Sequence, residues 1–148
     1  MNQRGKTISM EDRILIVDGE ETIRAILAKR LEREGYYCAM AENGQEAINQ
    51  FYKDNFPLVI TDIKMPEMDG IELLKRLKAM DPTLIVIMVT AYAEIQVAVE
   101  AMHLGADDFI LKPIDLELLI FTVRKALDKK RLNQEIEAYH HRQPFGFF

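Results

Sequence analysis

The sequence predicts an α/β domain: a doubly wound, five-stranded parallel sheet with helices on both faces. Three observations predict it. Short apolar runs alternate with helical patterns five times over, the runs are apolar almost without interruption, and turn-forming residues fall between them. A parallel sheet covered on both faces buries nearly every strand side chain, so its strands read as continuous runs rather than as alternating ones.

The elements follow in order. Arg13 to Asp18 (RILIVD) forms the first strand, and Ile23, Ile26, Leu27 and Leu31 mark one face of the first helix, closed by Gly35. Tyr36 to Ala41 (YYCAMA) is the second strand, with Ala47, Ile48 and Phe51 on the helix after it. Pro57 precedes the third strand, Leu58 to Asp62 (LVITD); Asp69-Gly70 opens a helix bearing Ile71, Leu74 and Leu77, and Pro82 lies past its end. Leu84 to Thr90 (LIVIMVT) is the fourth strand. Val97, Ala98, Ala101 and Met102 mark its helix, which Gly105 ends. The fifth strand is Asp108 to Leu111 (DFIL), and the last helix begins near Asp115.

A chain of 148 residues is one domain's worth, at roughly 100 to 200 residues per domain. With 49% hydrophobic and 29% charged residues it can bury a sizeable core, and disorder throughout is excluded. The longest nearly apolar run, Leu84 to Ala91, falls far short of the roughly 20 residues needed to cross a bilayer. The opening MNQRGKTISMED has no apolar h-region, so a cytoplasmic location is expected, with no membrane partner. One cysteine, Cys38, cannot form an internal disulfide, and His103, His140 and His141 do not make a zinc spacing. The net charge of -5 is uneven: residues 125–142 sum to +2, residues 1–12 to zero, and residues 13–124 to -7. A body that acidic is not a nucleic-acid grip, which needs Lys and Arg to displace counterions.

In open doubly wound sheets ligands bind beyond the carboxyl ends of the strands. Asp18 followed by Gly19, Glu20 and Glu21 stands at the first such end, Asp62 at the third, Thr90 at the fourth and Lys112-Pro113 at the fifth. Taken singly, a strand-terminal Asp is most often a helix cap, a Thr is sheet filler and a Lys is solvated. A carboxylate, a hydroxyl and an ammonium delivered to one edge are together the parts for anion chemistry around a nucleophilic Asp. Neither G-x-G-x-x-G nor G-x-x-x-x-G-K-[ST] occurs, so dinucleotide and P-loop readings fail.

ILIVD-x-E, LVITDIKMPEMDG, VTAY and GADDFILKP, in this order, resemble the receiver domain of bacterial two-component response regulators, the chemotaxis regulator among them. The resemblance covers about residues 13–128 and implies a flavodoxin-like (βα)5 fold with strand order 2-1-3-4-5. It implies a phosphorelay protein rather than a separate enzyme: a phosphoacceptor that assists its own phosphorylation and dephosphorylation. Asp62 matches that phosphoacceptor, taking a phosphoryl group from a sensor histidine kinase or phosphotransfer protein. Magnesium is then held by Asp18, Asp62, waters and the backbone carbonyl of Lys64. Lys112 pairs with the phosphoryl group, Thr90 hydrogen-bonds it, and Phe109 is the aromatic that turns inward. The output face is that of the fourth helix, fifth strand and fifth helix, where a homodimer can form.

One position departs from the family. Its first strand usually ends in two adjacent acids, and here Gly19 stands in the second place, usually the direct metal ligand. Magnesium demands near-octahedral oxygen coordination, so a weaker site is expected. Glu20 either reaches in or, the favoured reading, complements the helix dipole from the first turn. Lys64 either lends charge to the site or is a solvent-facing loop lysine, again the favoured reading. Gly19 also motivates an alternative function, a degenerate receiver that acts as an interaction module without phosphate. A haloacid-dehalogenase-type phosphatase needs an acid where Lys64 stands, and a flavin site needs a Ser/Thr-rich loop where DGEET would repel phosphate.

The ends read differently. Residues 1–12 are a flexible extension. In 129–148, Leu132, Ile136 and Tyr139 recur at helical spacing in a linker, either a short coiled coil or a frayed amphipathic tail, and Gln143 to Phe148 (QPFGFF) reads as a junction toward an absent output domain.

Overall fold

The computed structural model describes residues 12–142. The expected extension, apart from Asp12, and the closing QPFGFF lie outside the described residues. Five strands, β1 (Arg13–Val17), β2 (Tyr37–Ala41), β3 (Leu58–Asp62), β4 (Ile85–Thr90) and β5 (Asp108–Leu111), alternate with five helices. These are α1 (Glu21–Arg33), α2 (Gly44–Lys53), α3 (Gly70–Met80), α4 (Ile95–His103) and α5 (Leu116–Arg142). The sheet order is β2-β1-β3-β4-β5, all parallel, as the resemblance implied.

Two apolar layers hold the helices on. On one face Ala47 and Phe51 of α2, Leu73, Leu74 and Leu77 of α3, and Ala98 and Ala101 of α4 pack on Leu15, Val59, Val86 and Met88. On the other, Leu27, Ala28 and Leu31 of α1 and Leu119, Ile120, Val123 and Leu127 of α5 pack on Ile14, Ile16, Ile60 and Ile87. Strands β3 and β4 are buried throughout, whereas edge strands β2 and β5 are only partly covered. Two expected core residues are instead exposed, Ile26 at 46% and Met102 at 38%, because each helix turns only a narrow stripe inward. Cys38 lies in the second layer, and burial pushes its thiol up to about 12, which keeps it protonated.

The helix ends explain how the strands are re-aimed. Gly35 (φ 100°) and Gly105 (φ 113°) take the left-handed conformation after α1 and α4, where a Cβ would be strained. Asn43 caps α2 by accepting from Glu46 N–H at 2.8 Å, and Asp69 caps α3 by accepting from Glu72 N–H at 2.9 Å. Asp115 accepts from Glu117 and Leu118 N–H at the start of α5. That helix continues unbroken for 27 residues, past the last core residue, Leu127, and Lys130 Nζ donates to the Thr83 carbonyl at 2.6 Å. Among the described residues no helix is long and apolar enough to cross a membrane.

Candidate functional site

Register brings the acids together. Val17 pairs with Thr61 across β1 and β3, so Asp18, one residue beyond β1, stands level with Asp62 at the end of β3. Asp62 pairs with Val89 across β3 and β4, and Thr90 pairs with Leu111 across β4 and β5, which delivers Lys112 one step on. Asp18 and Asp62 are buried, at 2% and 9% exposure, and so is Thr90.

A buried carboxylate requires partners. Lys112 Nζ donates to Asp62 Oδ2 at 3.1 Å, and the Lys64 amide lies a long 3.4 Å from Oδ1. Asp18 Oδ1 accepts from Glu20 N–H at 2.8 Å. Burial pushes the Asp18 carboxyl above its usual range; the Glu20 amide and the Lys112 charge oppose this, and the Asp62 and Glu20 charges add to it. Burial works to lower the Lys112 ammonium, but its bond to Asp62 and the charges of Asp62, Asp18 and Glu20 outweigh this and raise it.

The remaining expected residues sit around this pair. Thr90 Oγ1 donates to the neighbouring Ala91 carbonyl at 3.2 Å. Phe109 is half-buried on β5 and packs against the layer that holds α4. Lys64 is 82% exposed along its side chain and pairs with Glu94 at 3.5 Å, in the 3-10 turn Tyr92–Glu94 before α4, instead of reaching over the site. Glu20 is the exposed N-cap residue of α1 and makes no side-chain capping bond. Gly19 faces open space: a Cβ there would meet nothing within 4 Å.

Sequence reasoning missed two residues. Gly70, seen only as a helix opener, packs so closely beneath the site that a Cβ would overlap the Asp62 carbonyl oxygen, and its N–H donates to the Ile63 carbonyl at 2.7 Å. Arg24 Nη1 donates to the Asp18 carbonyl at 2.6 Å. A D-G pair flags the first residue in the sequence, though not its packing; nothing flags the second.

Among the described residues no three His, Cys, Asp or Glu side chains gather as a metal-binding set. Asp18 and Asp62 bring two carboxylates to this edge, hard oxygen donors of the kind that suit a divalent cation, one carboxylate fewer than a paired acidic end would give.

Comparison with known proteins agrees with this fold. The family model described as response regulator receiver domain matches residues 14–124. The chain is 40% identical to the regulatory protein AtoC of Escherichia coli (strain K12) over 87% of its own length but only 28% of that protein's. It is also 40% identical to sporulation initiation phosphotransferase F of Bacillus subtilis (strain 168), over 82% of this chain and 98% of that one. In structure it resembles NtrX from Brucella abortus with a TM-score of 0.85 and 32% identity, covering 92% of this chain and 31% of that one.

Proposed function

The chain belongs to the response regulator receiver domain family of two-component systems, and from that premise we propose that it works by accepting a phosphoryl group on Asp62. The Lys112 to Asp62 ion pair beside buried Asp18 supports this reading most directly. Receiver domains interact with histidine kinases or phosphotransfer proteins, and a phosphohistidine on such a partner is the donor. Lys112 holds Oδ2, which leaves the less engaged Oδ1 to attack. The oxygen–phosphorus bond forms as the phosphorus–nitrogen bond breaks, and the electron pair departs on the imidazole nitrogen. The Lys112 ammonium then stabilises the charge on the phosphoryl oxygens.

Receiver domains in general bind magnesium, which when bound neutralises charge between the carboxylate and the transferring oxygens. Asp18, Asp62 and the Lys64 carbonyl are the residues to hold it, with Glu20 close enough for its charge to act on both Asp18 and Lys112. Thr90 turns from Ala91 to the phosphoryl group, and Phe109 fills the space this vacates, which changes the face of α4, β5 and α5. That face carries exposed Met102, Leu111, Leu118 and Phe121, the surface for a homodimer. We divide the chain into the receiver, 13–128, and a linker from 129 onward. The chain spans about a quarter of AtoC's length.

Gly19 favours one second reading, a receiver that works without phosphate as an interaction module. Intact mass after treatment with a small acyl phosphate, with and without magnesium, tests between them. A magnesium-dependent gain of one phosphoryl group that Asp62→Asn abolishes is expected. No gain in the wild type leaves the second reading.

A further inference from the structure

Resting on the reading of the Asp18–Asp62 edge as a magnesium and phosphoryl site, we propose that Arg24 is a positioning residue that aims the Asp18 carboxylate by holding Asp18's own main-chain carbonyl. Arg24 lies one turn into α1, its N–H bonded to the Glu20 carbonyl at 3.1 Å. Its Nη1 reaches back to the Asp18 carbonyl at 2.6 Å, so the guanidinium meets the backbone of the acid and not a carboxylate. A guanidinium never deprotonates and is planar, so the bond is permanent in charge and fixed in direction.

Asp18 is held at three points. Its N–H donates to the Ala41 carbonyl at 3.2 Å, its Oδ1 accepts from Glu20 N–H at 2.8 Å, and its carbonyl accepts from Arg24. The first bond belongs to the sheet and the second to the carboxylate itself. The third alone fixes the peptide that joins Asp18 to Gly19. Gly19 is outside the left-handed region, and its Cβ position is uncontested, so nothing steric requires a glycine. What glycine does is remove the restraint that any other residue would place on the backbone where the strand turns into the helix. A site with one acid where two are usual depends all the more on where that acid points, and Arg24 restores the restraint.

The amide of Glu20 reports the pose, because it bonds Asp18 Oδ1. In metal-free protein, Arg24→Ala should speed hydrogen exchange at Glu20 about five-fold while leaving the amides of β3 unchanged. Magnesium affinity, by calorimetry, should weaken by a similar factor. Gly19→Ala should recover most of both losses in the Arg24→Ala background and change little in the wild type. Wild-type exchange at Glu20 in Arg24→Ala, or an equal effect of Gly19→Ala in both backgrounds, overturns the role of Arg24. The expected exchange pattern in a wild type that binds no magnesium upholds the positioning of Asp18 and overturns the magnesium reading instead. Should Arg24→Ala loosen the whole fold, Arg24→Lys, which keeps the charge without the planar fork, is read at Glu20 by the same two outcomes.

Discussion

Replacing Gly19 with Asp puts a carboxylate into space that no atom within 4 Å of the Cβ position contests, so its effects are electrostatic rather than steric. It adds a third negative charge beside Asp18 and Asp62, and Asp18 is already pushed up by burial and by Asp62. Gly19→Asp should lower the stability of the metal-free protein by about 1 kcal/mol, the equivalent of one pKa unit, and enlarge the stabilisation that magnesium gives. Melting with and without magnesium checks this, and an unchanged magnesium effect would mean that another oxygen, Glu20 first, already completes the site. The places of Asp18, Asp62, Thr90 and Lys112 at one sheet edge were legible in the sequence because each ends or directly follows a continuous apolar run. Arg24 was not, because its role depends on how one turn of α1 folds back over β1. Gly70 was half legible: the turn it opens shows in the sequence, but its approach to the Asp62 carbonyl depends on the third dimension.

Among the elements, continuous apolar runs revealed the sheet because a strand buried on both faces leaves no polar position. The helices were harder to read in detail, since an apolar residue at the margin of a helix face can be read as core and lie in solvent. Ile26 of α1 is such a residue, whereas Leu77 of α3 is fully buried among the strands. Leu77→Ala should therefore cost about 2 to 5 kcal/mol, the transfer of its side chain plus the cavity left behind. Ile26→Ala should stay within about 0.5 kcal/mol of the wild type. Urea titration of both variants checks the pair, and equal losses would show that α1 buries a wider face. The continuation of α5 past the core was legible in the sequence, because Leu132, Ile136 and Tyr139 keep the helical period beyond Leu127, although all three are exposed.

Across the whole molecule, signalling of this kind requires that chemistry at one sheet edge change a face on another side. A phosphoryl group brings roughly -1.5 to -2 units of charge to Asp62, and Thr90 is the hydroxyl on the adjacent strand that can turn to it. The response is a population shift limited by how much better one arrangement contacts the phosphoryl group than the other. Thr90→Ala should leave phosphorylation of Asp62 largely intact and abolish the phosphorylation-dependent change in sedimentation; an identical change in both proteins would remove Thr90 from the signal path. All of this depends on the phosphoryl group residing on Asp62, and the most direct test is to trap it there. Borohydride reduces an acyl phosphate to the alcohol, so phosphodonor-treated protein, reduced and digested, should carry homoserine at position 62 alone. Homoserine at another acid, or phosphate on a residue that borohydride leaves untouched, would contradict the account.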